Sequence, residues 1–304
     1  MMGRAAIGDF AISPLGLGTM SLTGRGTWGE PADPAGARSL LRRGADLGVR
    51  LFDTADSYGP EVVERLVRDA LHPYDGLLVA TKGGFRRHGP HEWEADCRPE
   101  SLRAACEASL ARLGVERIDL YQLHLVDTRV PVEESVGALT ELQEEGKIRH
   151  IGVCNVNLAQ LERARAVAAI VSVQDRFSLA ERASGDVLAR CLESGLAFVA
   201  WAPLAKGFLA GASGALASVA RAHGATPGQV ALAWALRQGA LAIPGTSSAR
   251  HLEENVGALE VELTDDEAEA LERDSLLGYR ARRLARRARM RAGRIKAGVR
   301  RVSR

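Results

Sequence analysis

The stretch FDTADSYG, residues 52–59, places an aspartate, Asp53, and a tyrosine, Tyr58, in one short segment. Asp53 ends an apolar run, and two later runs end beside Lys82 in VATKGG and at His124 in DLYQLH. A free phenol has a pKa of about 10, too high for efficient acid catalysis at neutral pH. A nearby ammonium lowers that pKa, and an aspartate paired to the ammonium keeps it charged. These residues therefore predict a site that protonates an oxygen as it becomes an alkoxide, with the tyrosine as the acid.

The elements that must position these residues are eight predicted strands. Each is a short apolar run that is followed by a stretch with helical spacing. The runs lie at residues 14–19, 49–53, 77–81, 118–123, 148–153, 169–174, 196–201 and 240–244. Eight strand–helix pairs within about 250 residues are typical of a (β/α)8 TIM barrel, in which neighbouring strands deliver side chains to one mouth. A doubly wound sheet is the alternative, and it is disfavoured because no break in composition divides the chain into halves. The barrel predicts that the four polar side chains meet.

Two further elements are predicted at the ends of the barrel. Residues 4–13 are typical of a short N-terminal β-hairpin that turns at Gly8-Asp9 and caps the bottom of the barrel. Residues 264–274 begin with a good N-cap and an acidic first turn, so they should form a last helix. We assign residues 1–277 to the barrel and residues 278–304 to a basic C-terminal extension that is disordered or loosely helical.

The charge of the chain is uneven. Of 40 Lys and Arg residues, 12 lie in residues 278–304, which contain no Asp or Glu; this leaves 28 basic against 38 acidic residues, a net charge of −10, in residues 1–277. A basic tail could contact nucleic acid or an anionic membrane through its charge. We expect a solvated extension instead, because no platform of aromatic side chains accompanies the arginines.

Composition disfavours membrane, secreted and metal-binding proteins. No apolar run approaches the roughly 20 residues that cross a bilayer, and the first ten residues lack the apolar core of a secretory signal. The four cysteines are scattered without CxxC spacing, which indicates neither a zinc site nor a disulfide framework. His88 and His91 lie three residues apart, but no third ligand accompanies them, so no metal is expected. The expected location is the cytoplasm.

Residues 24–29, GRGTWG, match the dinucleotide-binding pattern G-x-G-x-x-G. In a Rossmann site a helix opens on the third glycine after a strong strand, whereas Pro31 and Pro34 follow here and no strong strand precedes. We therefore interpret the segment as a flexible loop over the barrel mouth. Substrate specificity should depend on three loops at that mouth, namely residues 21–33, 84–98 and 176–184.

Seven motifs in chain order closely resemble those of the aldo-keto reductases, which are NADPH-dependent (β/α)8 barrels. The motifs are FDTADSYG, VATKGG, DLYQLH, GVCN, SVQ, AWAPLAKG and IPGTSSARHLEEN. The resemblance covers nearly all of the chain except the tail. It implies reduction of an aldehyde or ketone to an alcohol by direct hydride transfer, without a metal. It also implies that Tyr58 donates the proton, that Asp53 and Lys82 tune it, and that His124 aligns the carbonyl.

The resemblance further implies a site for NADPH, with NADH as the alternative cofactor. The residues that match the family's cofactor site are Thr19, Met20, Asp53, Asn155, Gln174, Trp201, Leu204, Gly207, Gly245, Thr246, Ser247, Ser248, Arg250, His251, Glu254 and Asn255. Asn155 and Gln174 match the partners of the carboxamide, and Trp201 matches the aromatic residue, usually Tyr, on which the nicotinamide stacks.

Some residues depart from the family pattern. Cys154 stands where many relatives have Ser, and Gly245 and His251 stand where many have the Lys and Arg that grip the 2′-phosphate. Arg250 could supply that fixed charge instead. A redox-sensing or regulatory subunit that binds NADPH on the same fold is a further hypothesis, and the intact set of four polar residues favours turnover of a small carbonyl substrate over it.

Overall fold

In the computed structural model, which describes residues 5–274, eight parallel strands form one sheet whose neighbours follow chain order. The strands of the chain are β1 Ala5–Ile7, β2 Phe10–Ile12, β3 Leu17–Gly18, β4 Leu51–Asp53, β5 Leu78–Gly83, β6 Phe85–Gly89, β7 Glu92–Ala95, β8 Ile118–Leu123, β9 Ile148–Cys154, β10 Ile170–Arg176, β11 Ala197–Trp201 and β12 Leu241–Ile243. All eight predicted strands are present, as β3, β4, β5 and β8 to β12.

The first and last strands of the sheet are joined by backbone hydrogen bonds. Gly16 N donates to Ala242 O at 2.8 Å, and Gly18 N donates to Pro244 O at 3.3 Å. These bonds close the sheet into a cylinder with no free edge. The (β/α)8 TIM barrel is thus confirmed, and the doubly wound alternative is excluded.

Helices surround the barrel. They are α1 Pro34–Asp46, α2 Val62–Leu71, α3 Pro99–Leu113, α4 Val132–Glu144, α5 Leu158–Arg165, α6 Gly185–Glu193, α7 Ala215–Ala222, α8 Pro227–Arg237, α9 Ala249–Val256 and α10 at residues 265–274. Side chains satisfy the free N–H groups at several starts: Asp33 caps α1, and Thr226 with Gln229 forms a capping box on α8. Thr264 and Glu267 cap the predicted last helix in the same way.

The N-terminal hairpin β1–β2 closes the bottom of the barrel, as predicted. Ile7 and Ile12 are buried with Leu51, Leu78 and Leu120, which project from the barrel strands into its interior. Each such side chain removed from water stabilises the fold by about 1.5–3 kcal/mol. Packing at this end leaves the opposite end of the cylinder, where the strands terminate, for the polar residues.

One of the three predicted loops has regular structure. Residues 85–95 form the antiparallel hairpin β6–β7 rather than a loop, so that part of the prediction is wrong. The GRGTWG segment forms turns, and no helix opens on its third glycine, as expected. It is attached to the rest of the mouth, because Gly29 N donates to Gly59 O at 2.7 Å.

The basic tail at residues 278–304 lies outside the described residues, as does the prediction made for it. Within residues 5–274, no helix combines the length and the apolar character needed to cross a membrane.

Candidate active site

Lys82 is the centre of a buried cluster at the carboxyl ends of β4, β5 and β8. Its Nζ donates to Asp53 Oδ2 at 2.7 Å and to Thr54 O at 2.8 Å, and lies 5.2 Å from the centroid of the Tyr58 ring. The ring centroids of Tyr58 and His124 are 5.9 Å apart. The structure therefore brings together the four residues that the sequence singled out.

Two opposing effects set the pKa of Lys82. Burial lowers the pKa of the amine, but the Asp53 carboxylate outweighs burial and raises it. The ammonium is therefore charged at neutral pH. Its side chain is fully buried, so an unpaired charge here would cost several kcal/mol. The carboxylate is the group that makes this position of the ammonium tolerable.

The phenol of Tyr58 behaves differently from the expectation. Burial raises the pKa of Tyr58 to about 12, while the Lys82 ammonium acts in the opposite direction without reversing the shift. The predicted lowering is therefore wrong for the net pKa. The phenol is protonated at neutral pH, which is the form that a proton donor needs. It can still protonate an alkoxide, since an alkoxide is about as basic as hydroxide and water has a pKa of about 15.7.

His124 is a neutral imidazole in this environment. Burial and the Lys82 ammonium lower the pKa of His124 well below its usual value. Its Nδ1 makes no hydrogen bond with any residue in the described part of the chain, and its ring packs edge-on against Phe85 with centroids 4.8 Å apart. A neutral imidazole can donate one hydrogen bond without adding charge, which suits alignment of a carbonyl oxygen.

Two glutamines hold the second oxygen of the Asp53 carboxylate. Gln174 Nε2 donates to Oδ1 at 2.6 Å, and Gln122 Nε2 approaches the same atom at 3.4 Å. Cys154 Sγ lies 3.6 Å from Gln122 Oε1. Gln122 was not among the predicted residues; its signal was a polar residue inside the apolar strand run DLYQLH. These bonds fix the carboxylate that faces the ammonium.

Asn155 links the cluster to Trp201. Its Nδ2 donates to His124 O at 2.9 Å, and its Oδ1 accepts from Trp201 Nε1 at 3.0 Å. The backbone of Asn155 is left-handed, with φ 56°, a conformation that Asn tolerates better than most residues. The indole that replaces the family's usual Tyr thus has an N–H that orients the amide of Asn155.

A cavity of about 520 Å³ lies beside α9, a size typical of small-molecule sites. Eight predicted cofactor residues line it, namely Leu204, Gly207, Gly245, Thr246, Arg250, His251, Glu254 and Asn255. Lys206, in the segment 205–207 that the resemblance matches to a pyrophosphate loop, also lines it, together with Thr226, which the sequence did not single out. Ala202, Ala205 and Lys206 have φ angles of 50°, 49° and 59°, and such strained backbone concentrates at ligand sites. These features fit a bound dinucleotide.

The other predicted cofactor residues lie outside this cavity. Thr19 is buried, and its Oγ1 donates to Asp53 O at 2.8 Å, whereas Met20 is 46% exposed. Ser248 caps α9 by accepting from His251 N. Ser247 lines a neighbouring cavity of about 620 Å³ together with Arg43. The structure therefore does not bring Ser247 into the cavity beside α9.

Within residues 5–274, no three His, Cys, Asp or Glu side chains come close enough to hold a metal ion. His88 instead pairs with Glu94, with 2.6 Å between His88 Nε2 and Glu94 Oε2. The four cysteines are buried free thiols.

Asp56, in the turn that leads to Tyr58, is a second unusual carboxyl. The residue as a whole is half-buried, but removal of its carboxyl from water, reinforced by the Glu64 carboxylate, raises its pKa to about 8, and its Oδ1 finds no hydrogen-bond partner in the described residues. The Glu64 carboxylate forms an ion pair with Arg112, whose Nε lies 2.5 Å from Glu64 Oε2. Asp56 is therefore mostly protonated at pH 7 in the folded protein.

Replacing Asp56 by Asn should make stability less dependent on pH. In the unfolded chain Asp56 ionises near pH 4, but in the fold it holds its proton up to about pH 8, so wild-type stability falls as pH rises between these values. One such proton changes the free energy of unfolding by about 1.4 kcal/mol per pH unit. Asp56→Asn should flatten this slope in urea unfolding measured from pH 5 to 8. An unchanged slope would contradict the assignment, and Asp69→Asn on the exposed face of α2 is the control.

The family model described as "Aldo/keto reductase family" matches residues 14–274. An uncharacterized oxidoreductase of Schizosaccharomyces pombe is 42% identical over 266 residues, which cover 87% of each chain. The pyridoxine 4-dehydrogenase of Escherichia coli is 39% identical over 269 residues, which cover 86% of this chain and 94% of that one.

A solved structure agrees with these relatives. The aldo/keto reductase from Klebsiella pneumoniae, crystallised in complex with NADP and acetate, superposes with a TM-score of 0.74 at 30% identity, over 86% of this chain and 91% of that one. The match of the family model over most of the chain and the two relatives settle the classification that the motifs suggested. The chain belongs to the aldo/keto reductase family of oxidoreductases.

Proposed function

We propose that the chain is an NADPH-dependent reductase that converts an aldehyde or ketone into an alcohol, with Tyr58 as the general acid. One observation carries the proposal: a buried ammonium, Lys82, lies between the Asp53 carboxylate and the Tyr58 ring. The NADP complex of the Klebsiella pneumoniae relative and the lined cavity beside α9 support the choice of cofactor.

When bound, NADPH supplies a hydride to the carbonyl carbon. The residues that would hold it are those lining the cavity beside α9, together with Asn155, Gln174 and Trp201. Tyr58 gives its proton to the carbonyl oxygen, and the Lys82 ammonium stabilises the phenolate that this leaves. The neutral ring of His124 donates a hydrogen bond to the same oxygen. Asp53 keeps the ammonium charged and in place, and burial of the cluster strengthens each of these interactions.

Pyridoxal is the first substrate to test. A pyridoxine 4-dehydrogenase is 39% identical to this chain, and the reverse of such a reaction reduces the 4-aldehyde of a flat aromatic ring. The wall of the mouth is aromatic: Phe85 and Trp93 pack edge-on with centroids 5.1 Å apart, next to His124. We therefore propose aromatic aldehydes as the substrate class, because such walls stack against flat rings.

The test is a panel of carbonyl compounds that contains pyridoxal, benzaldehyde and aliphatic ketones, measured by oxidation of NADPH and repeated with NADH. Reduction of an aldehyde in the panel supports the proposal. If the purified protein binds NADPH tightly and turns over no compound in the panel, the redox-sensing or regulatory subunit becomes the better interpretation.

Arg250 should decide the preference for NADPH over NADH. Its side chain is 76% exposed and lines the cavity beside α9, where it contacts Glu254 at 3.0 Å and His251 Nε2 at 3.1 Å. These two contacts leave other N–H groups of the guanidinium for a 2′-phosphate. A hydrogen bond to a charged group contributes about 1.5–3 kcal/mol, so Arg250→Met should raise the KM for NADPH by about tenfold or more. The KM for NADH should stay unchanged.

Arg163→Met is the matched control for this prediction. Arg163 is an exposed arginine on α5, paired with Glu133 and far from the cavity lining. Its replacement should alter neither KM. An equal rise in both KM values after Arg250→Met would show that the arginine does not recognise the phosphate.

A further inference from the structure

Arg87, on β6, uses every N–H of its guanidinium on backbone carbonyl groups of the barrel mouth. Its Nε donates to Glu92 O at 2.9 Å, and its Nη2 donates to Gly26 O at 3.1 Å and Gly89 O at 3.3 Å. Its Nη1 donates to Thr27 O at 2.9 Å and to Ser57 O at 2.7 Å. Arginine has five N–H donors, and all five are satisfied here.

Two indole rings hold the same guanidinium. Its carbon lies 3.8 Å from the centroid of Trp93 and 5.7 Å from that of Trp28. No carboxylate within the described residues forms an ion pair with it. A surface arginine would point its charge to water, whereas this one is committed to a fixed geometry that a lysine, with three donors, cannot reproduce. Because no N–H remains free, Arg87 is not arranged to bind a substrate.

The carbonyl groups that Arg87 joins belong to three different segments. Thr27 and Gly26 lie in the GRGTWG loop, Glu92 and Gly89 in the β6–β7 hairpin, and Ser57 directly before Tyr58 in the turn that follows β4. The loop is also attached to that turn by the bond from Gly29 N to Gly59 O. We propose that Arg87 is a positioning residue for the reductase: it fixes the turn that carries Tyr58 to the loop and hairpin that form the mouth.

The test compares Arg87→Lys and Arg87→Met with Arg221→Met. Arg221 is exposed on α7, outside the mouth loops, and its side chain makes no hydrogen bond or ion pair with the described residues, so its loss removes the same charge without these contacts. Amide hydrogen exchange at residues 24–29 and 57–59 measures the attachment itself. The values of kcat and KM, with benzaldehyde and with 4-carboxybenzaldehyde, measure its effect on the reaction.

Loss of two or more charge-assisted bonds should raise exchange in both segments by about tenfold or more and lower kcat by a similar factor in Arg87→Met. Arg87→Lys should lie between it and wild type, added guanidinium should restore part of the kcat of Arg87→Met, and Arg221→Met should match wild type. If Arg87→Met cannot be purified as a folded protein, the rate of amide hydrogen exchange in Arg87→Lys tests the proposal instead.

Three results would overturn the proposal. One is a rate of amide hydrogen exchange at residues 57–59 in the Arg87 variants that equals the rate in wild type. Another is a kcat equal to that of wild type although exchange is faster. The third is a rise in KM confined to the carboxylated aldehyde, which would make Arg87 a binding site for anions. The proposal rests on the proposed reductase function, but the exchange measurement does not. A wild-type protein that reduces no carbonyl would refute that function and leave the attachment of the loop testable.

Discussion

Replacing Tyr58 by Phe should reduce kcat for carbonyl reduction by about 1,000-fold, because general acid catalysis contributes about 100- to 10,000-fold. The substitution removes only the hydroxyl group and keeps the ring that packs against His124 and the Lys82 ammonium. The Kd for NADPH should therefore stay close to that of wild type. Oxidation of NADPH gives kcat, and a fluorescence titration gives Kd.

Tyr74→Phe is the matched control. Tyr74 donates its hydroxyl to Leu113 O at 2.8 Å and lies away from the cluster around Lys82, so its replacement should leave kcat unchanged. If the Tyr58→Phe variant retained a kcat near that of wild type, another group would have to supply the proton, and the assigned role of the phenol would be refuted.

Replacing Lys82 by Met should cause both a loss of turnover and a loss of stability. The ammonium is fully buried and 2.7 Å from the Asp53 carboxylate, so its removal leaves an uncompensated charge inside the barrel. Such a change costs about 3–5 kcal/mol in the free energy of unfolding. Turnover should fall because nothing then stabilises the phenolate of Tyr58. Urea unfolding and kcat measure the two effects.

A double variant separates these effects. Lys82→Met with Asp53→Asn removes both charges, so much of the stability should return while turnover stays lost. Lys147→Met is the control, since Lys147 forms ion pairs with Glu107 and Glu145 at the surface, where water and salt screen them, so its removal should change the stability little. Recovery of full activity in the double variant would show that the ammonium acts on folding alone.

The barrel could be predicted because its strands are apolar on both faces. Runs such as IDLYQL and IRHIGV differ in pattern from the amphipathic helices that cover them. Glycines such as Gly114, the C-cap of α3, mark where those helices end. The parallel direction of the strands follows from the alternation, since each helix carries the chain back to the end of the sheet at which the previous strand began. The count of eight pairs, with no break in composition, then favours a barrel over a doubly wound sheet. Convergence of Asp53, Lys82 and His124 then follows from the fold.

The β6–β7 hairpin was missed because its inward positions are not purely apolar. Phe85 and Arg87 alternate with exposed residues before a Gly89-Pro90 turn, and Trp93 and Ala95 do so after it. This period of two was present in the sequence. An arginine at a half-buried position hid it, since the sequence does not identify the carbonyl groups of Gly26, Thr27 and Ser57, which are distant in the chain and help to make that position favourable.

The pKa of Tyr58 could not be derived from residue types. The sequence identifies the charged neighbours, whose effects have known signs, but not the depth of burial, which is the larger effect here. The same holds for Asp56, whose position in FDTADSYG gives no sign that it faces Glu64 within the protein. The pKa shifts that burial causes can be derived only once the fold shows how far each group lies from water.

The closure between β3 and β12 has a consequence for how a ligand would affect the whole barrel. β3 has only two residues, and the closure is held by a few backbone hydrogen bonds between residues 14–18 and residues 242–244. Thr19 comes directly after β3, and Gly245 comes shortly after β12. A molecule that contacted both residues would link the first and last strands of the barrel, and its binding would therefore stabilise the closed cylinder against unfolding.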